Sequence, residues 1–226
     1  MTLLLEVGAT VLLLAVLYAP LERAFPAHRQ GAWRAGSSTD LFFLLGQLVL
    51  WTAPVVAALT WFVHASEQLP LAGLRASVDA WPLWAQIGSA VGLCDVSIYW
   101  AHRWSHRNRF LWRFHRVHHT AERLDFLAAY REHPFDNLFT RTVENLPAIL
   151  LGIPLHVLAG FAVFRGLWAV YIHSNVALEP GPLRMLLGSP RLHHWHHERT
   201  HHARVNFANL SPLMDVLFGT YHDPGH

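Results

Sequence analysis

The chain has 226 residues, of which 53% are hydrophobic and only 14% charged, with a mean hydropathy of +0.24. A soluble domain carries about a quarter charged residues, so this chain has too little polar surface for water and reads as a membrane protein. Its 17 basic residues are all arginine, 18 histidines outnumber them, and the single cysteine, Cys94, excludes a disulfide framework, a cysteine zinc site and an in-chain iron–sulfur cluster.

Three long apolar runs come first. Leu3 to Ala19 is broken only by Glu6, Leu41 to Val63 has no charge, and Leu83 to Ala101 has only Asp95. Each comes close to or exceeds the ~20 helical residues that cross a hydrocarbon core. Met1-Thr2 supplies no basic n-region and no clear small-residue cleavage site follows Leu17, so the first run reads as an anchor and not a signal peptide. The loop from Pro20 to Asp40 carries Arg23, Arg29 and Arg34, against Arg75 alone between His64 and Pro82. The positive-inside tendency then puts the first loop on the cytoplasmic side, and the third helix returns there near His102.

From His102 to Asn145, eight arginines stand against five acids. They read as a juxtamembrane face near anionic headgroups, with no nucleic-acid role expected. The last apolar stretch, Leu146 to Ile172, is 27 residues, long for one crossing and short for two. Gly152-Ile153-Pro154 breaks it. The expectation is a shallow helical hairpin with arms of about Asp136 to Leu151 and Leu155 to Ile172, which brings His173 back to the side of His102. The expected fold is all-α: an integral-membrane bundle of three spans plus a hairpin or fourth span, under a cytoplasmic helical cap. Residues 1–91 form the membrane-spanning region, 92–221 the chemical domain and 222–226 a short tail.

The histidines fall in clusters. His102 and His106 are i and i+4 on a helix, His115, His118 and His119 are i, i+3, i+4, and His193, His196 and His197 repeat that spacing. Such spacing aims imidazoles at one side of a helix, which pre-positions several bonds to a metal. Eight imidazoles are too many for one ion, since a zinc site takes at most four. Convergence of the three clusters therefore predicts two transition-metal ions. Imidazole suits zinc, copper, iron and nickel alike.

Asp95-Val-Ser-Ile-Tyr-Trp-Ala-His102-Arg-Trp-Ser-His106, His115-Arg-Val-His118-His119, Pro190-Arg-Leu-His193-His-Trp-His196-His197 and the tail from Asn206 through Asp215 to Thr220 carry a resemblance. Together they resemble the fatty acid hydroxylase/sterol desaturase superfamily of integral-membrane di-iron enzymes. The resemblance implies two non-haem iron ions held by these eight histidines as catalytic and metal-ligating residues. It also implies O2 as co-substrate and hydroxylation of a C–H bond of a lipid, whether fatty acyl, sterol-like or ether lipid, with desaturation on the same centre as the alternative. His173, in Tyr171-Ile-His-Ser-Asn175, is similar to the isolated histidine that precedes the final box, and His133, in Arg131-Glu-His-Pro134, is a further candidate ligand. Met214 stands where an aromatic commonly precedes the tail aspartate, and Ala169 where some members carry another histidine. The chain contains no recognisable electron-transfer module, so a ferredoxin or cytochrome-b5-like donor with its reductase is implied, beside the bilayer and the lipid substrate. The implied location is an integral-membrane one, in a bacterial inner membrane.

Three other readings compete. His197-Glu198-Arg-Thr-His201 fits the His-Glu-x-x-His zinc protease motif. Paired histidines on spans also suit a membrane haem protein, and a non-catalytic metal-binding membrane protein is the third. Asp95 lies inside an apolar run, where an ionisable group is costly and usually functional. It shares one helix face with Tyr99, His102 and His106 and is expected to accept a hydrogen bond from the far nitrogen of a ligating histidine. Asn175 and His194 are expected beside ligands, as orienting partners. His201 and His202 also neighbour the third box, whereas His28, His64, His156, His222 and His226 have no partner spacing.

Overall fold

The computed structural model describes residues 2–198 and 204–224. Its helices follow the apolar periodicity. Helix α1 spans Thr2–Ala24, and α2, Ser37–Gly46, continues through a π-helical turn at Gln47–Trp51 into α3, Thr52–Glu67. The Thr52 hydroxyl donates to the Gln47 carbonyl at 2.7 Å, so the widened turn keeps its backbone groups satisfied. Then come α4, Ala72–Asp79, α5, Leu83–Arg107, α6, Arg109–His115, α7, Pro134–Leu151, α8, Leu155–His173, α9, Pro190–His197, and the single turn α10, Leu213–Leu217.

Three helical stretches are long and apolar enough to cross a membrane: Thr2–Ala24, Ser37–Glu67 and Leu155–His173. Helix α5, expected as the third span, is not among them. It forms a 25-residue helix but buries Gln86, Asp95, His102, Ser105 and His106 along one face, which lowers its apolarity. It acts as the central post: α7 and α8 both pack on it, and Ala90 and Cys94 of α5 share one core with Ala148, Ile149, Val157, Leu158 and Phe161.

The hairpin expected at Gly152 is present, but its second arm, α8, is long and apolar enough to cross a membrane, so it is not the shallow one expected. Gly152 sits at φ 87°, the left-handed region, while the Ile153 N–H bonds the Ala148 carbonyl and the Gly152 N–H bonds that of Ile149, a Schellman end. A buried ion pair, Arg165 to Glu144 at 2.5 Å, ties its two arms. This turn lies against Arg75 of α4, whereas the loop after α1 meets the segment after α8. There the Ala27 N–H bonds the Asn175 carbonyl and the Ala177 N–H bonds that of Phe25. The loop from Pro20 to Asp40 and the end of α8 therefore share one end of the bundle, and the α3–α4 loop lies at the other, as the alternation of charges predicts.

Candidate metal centre

Local structure sets each histidine in place. His102 and His106 end the buried face of α5 that also carries Asp95 and Tyr99. The Asn108 side chain accepts the Phe110 and Leu111 N–H groups and restarts the chain as α6, whose last residue is His115. His118 and His119 are not on that helix; they sit on a separate 3₁₀ turn, His118–Thr120. His173 is the last residue of α8. Ser189 accepts the Leu192 N–H and Pro190 occupies the first turn of α9, which carries His193, His196 and His197.

The nine rings meet in two groups, each offering one nitrogen per residue within 4.8 Å of the others. The first holds His102, His106, His115, His119 and His196, and the second His118, His173, His193 and His197. In the first, the Nε2 atoms of His106, His115 and His119 stand 3.0–3.3 Å apart. In the second, successive Nε2 atoms around the ring His118–His173–His193–His197 stand 2.9–3.2 Å apart. Two nitrogens each ~2.1 Å from one ion and at right angles to each other would stand about 3.0 Å apart. The rings of His119 and His197 stack at 4.5 Å and join the groups.

The far side of five of the nine rings sets the tautomer. Nδ1 of His102 faces the Phe207 carbonyl at 2.8 Å, that of His118 the Arg131 carbonyl at 3.1 Å, that of His173 the Ala169 carbonyl at 2.6 Å, and that of His196 the Val205 carbonyl at 2.8 Å. A carbonyl only accepts, so each of these Nδ1 atoms carries the proton and each Nε2 presents a lone pair. Asp136 does the same for His115, with Oδ2 at 2.8 Å from Nδ1. The buried Nε2 atoms of His102 and His196 find no hydrogen-bond partner among the described residues. The Nε2 lone pairs of His118 and His173 face each other at 3.0 Å with no proton between them and repel, and a cation held by the group removes that repulsion. The residues therefore fit two metal ions.

Burial holds the rings in the neutral form that ligation needs. It lowers His115 to about 3, and together with the neighbouring His115 it lowers His118 to about 4. His119, His193, His196 and His197 are also pushed well below the ordinary histidine range by burial and by one another.

Not every expected residue joins these groups. His133 stands apart and caps α7, its Nδ1 accepting the Phe135 N–H at 3.1 Å. Asp95 meets no histidine; Oδ1 accepts the N–H groups of Leu210 and Ser211 and anchors the C-terminal segment, because that segment covers the middle of α5. Asn175 exchanges two hydrogen bonds with the His28 backbone, and His194 reaches the Ser174 carbonyl at 3.1 Å while stacking on His28. Both lie beside the second group without touching a ligand's far nitrogen. Helix α9 stops at His197 and Glu198 is extended at ψ 130°; the rest of the His197-Glu198-x-x-His201 motif lies outside the described residues. His201, His202 and His226 lie outside the described residues.

Several supports are invisible in the residue pattern. Asp136 reads there only as the start of a hairpin arm. Asp215 accepts the Phe207 and Ala208 N–H groups and the Thr220 hydroxyl, which fixes the segment whose carbonyls hold His102 and His196. Arg131, whose carbonyl holds His118, donates to Asp40, and Arg34 bridges Asp40 and Asp125 at 2.6 and 2.7 Å. All four of these charged side chains are buried.

Fold and site together define a helical membrane protein with two buried histidine groups able to hold metal. Residues 87–220 match the model of the fatty acid hydroxylase family, and the chain belongs to that family. It is 34% identical over 147 residues to an ornithine lipid hydroxylase of Rhizobium tropici, covering 65% of this chain and 44% of that protein. It is 32% identical over 144 residues to an alkylglycerol monooxygenase of Danio rerio, covering 63% and 31%, and 33% identical over 134 residues to a Delta(7)-sterol 5(6)-desaturase of Gibberella zeae, covering 58% and 36%. The chain thus spans less than half the length of these curated relatives. No solved structure matches it.

Proposed function

We propose that the protein is a membrane oxygenase that holds two iron ions, one in each histidine group, and uses O2 and external electrons to hydroxylate a C–H bond of a lipid. The observation that carries this reading is the pair of convergent histidine sets, with the tautomers of five rings fixed from behind by carbonyls and Asp136. When bound, iron supplies the O2-dependent oxidation that side chains alone cannot perform. The chain's own part is geometric and electrostatic. Nine neutral imidazoles bind without adding negative charge, and hydrogen bonds at the far nitrogens of His102, His115, His118, His173 and His196 keep those five rings aimed. Burial of both groups keeps bulk water out, and the apolar helices α1, α2–α3 and α8 hold the chain where the tail of a lipid is already dissolved. The histidine end is assigned to the cytoplasmic face of a bacterial inner membrane, on the arginine bias of the loops. A ferredoxin or cytochrome-b5-like donor with its reductase supplies the electrons.

Desaturation is the second reading, favoured by the similarity to a sterol desaturase. One experiment tests both. The full chain is purified in detergent for metal analysis, and lipids of an overexpressing cell are compared by mass spectrometry with and without O2. Two irons per chain and an O2-dependent product heavier by one oxygen is the expected result; a product lighter by two hydrogens selects desaturation. Stoichiometric zinc with no product overturns the proposal.

A further inference from the structure

Arginines gather where α5 ends and α6 begins. Arg103 is occupied: its NH1 donates to the Tyr99 hydroxyl at 2.7 Å and the Phe218 carbonyl at 3.2 Å. Arg107, Arg109 and Arg204 are exposed, and none pairs with a carboxylate among the described residues. These three line one cavity of about 280 Å³ together with Asn108, Trp112 and His106. His106 belongs to the first histidine group, so the inner wall of the cavity is the edge of the metal centre itself.

The charge of this cavity is one-sided. A larger cavity, about 800 Å³ and bordering His197, sets Arg29 and Arg123 against Glu122 and Glu198. The smaller one has three guanidinium groups and no acid. Like charges around a concavity focus the potential inside it. Guanidinium forks also match the oxygens of phosphate and carboxylate. Its size falls just below the ~300–1,000 Å³ of ordinary ligand pockets, which suits a small anionic group and neither a lipid chain nor the face of a protein.

The surroundings say where that anion comes from. Trp104 and Phe110, next to these arginines in the chain, are 47% and 54% exposed. Exposed aromatic rings among arginines are the composition of a membrane–water boundary. An anion held at that depth is one attached to an apolar tail.

The structure assigns the Arg107–Arg109–Arg204 cavity as the site that takes the anionic headgroup, phosphate or carboxylate, of the membrane lipid presented to the histidine centre. The assignment rests on the lipid-oxidation reading above and narrows its substrate class to anionic lipids.

The test needs no turnover. Iron-loaded full chain in neutral detergent is offered equal amounts of phosphatidylglycerol, phosphatidylcholine and diacylglycerol without reductant, and bound lipid is read by native mass spectrometry. The expected result is a preference for phosphatidylglycerol that falls about tenfold or more in the R107Q/R109Q/R204Q variant, at unchanged iron content. The R113Q/R116Q variant, whose arginines lie outside the cavity, keeps the preference. An unaltered preference in the triple variant overturns the site, as does an equal loss in the control pair, which would mark a general basic surface. Displacement of the lipid by millimolar inorganic phosphate would make it a free-phosphate site and also overturn the assignment. A triple variant that keeps its lipid preference but loses reduction by an acidic donor protein would give the cavity to that donor, and the headgroup assignment would fall. If the wild-type chain shows the preference and oxidises no lipid, the headgroup site stands and the oxygenase reading falls.

Discussion

His118 and His119 are neighbours in the chain, yet their ring planes stand 88° apart and they enter different histidine groups. His196 and His197 repeat the relationship at 89°. In both boxes the i and i+4 rings share one group and the i+3 ring crosses to the other. The His118→Ala variant is therefore expected to lose the metal of the second group and keep that of the first, and His119→Ala the reverse. Metal content and the spectrum of the retained ion check this; loss of both metals from each variant would show a single indivisible site.

Asp136 is the only carboxylate found behind a histidine of either group among the described residues. Asp136→Ala leaves the Nδ1 proton of His115 buried without an acceptor, and a loss of about 10–100-fold in metal affinity at the first group is expected. Asp136→Asn keeps an acceptor oxygen and should fall between. Competition with a calibrated chelator measures both; an unchanged affinity in the alanine variant would remove Asp136 from the centre.

Asp40 lies outside the stretch that matches the family, yet it receives Arg34 and Arg131, and the Arg131 carbonyl holds His118. Removing it leaves the buried Arg131 without a carboxylate and Arg34 with Asp125 alone, at a cost of about 3–5 kcal/mol. Asp40→Ala should thus destabilise the chain and weaken the second group more than the first. Asp40→Asn, which retains acceptor oxygen, should restore part of the second group's affinity. Equal weakening of both groups would reduce Asp40 to a general stabiliser.

Acid should open the metal-free centre. His115 and His118 titrate near 3 and 4 in the folded chain, because of burial, against about 6.5 when unfolded. Between those values the unfolded state binds more protons, so stability rises with pH across the window. The contribution is complete above about pH 6.5 and is lost as pH falls toward 4. Unfolding of metal-stripped protein in detergent at pH 8, 6.5 and 5 measures the slope; a flat profile would contradict the burial of these rings.

Gly152 makes the turn between α7 and α8 at φ 87°, and a Cβ there would stand 2.7 Å from Cγ of Arg75. Gly152→Ala is expected to cost about 1–2 kcal/mol from backbone conformation alone. A thermal shift measures it, and no loss of stability would mean that the turn is not locked as described.

The two histidine groups are legible because their signature is local: i, i+3, i+4 spacing survives whatever surrounds it. Even so, that spacing implies one helix through the second box and hides the break after His115, where an α-helix gives way to a 3₁₀ turn. The partners behind the rings are not legible. Backbone carbonyls at Ala169, Val205 and Phe207 leave no trace in residue type, since every residue has one. Asp95 and Asp136 look alike in sequence, and only packing sends one to the C-terminal segment and the other to His115. The hairpin is readable from Gly152 and Pro154, whereas α5 passes for a span because its buried polar face is diluted by apolar neighbours.

The crossing of ligands between groups also sets an order of events during synthesis. Half of the second group comes from α9, and the carbonyls that aim His102 and His196 come later still, at residues 207 and 205. A nascent chain that has emerged only through α8 offers that group two ligands, His118 and His173. On the two-metal reading, stable metal capture therefore waits until residues 193–207 are made, after the apolar helices have already been synthesised.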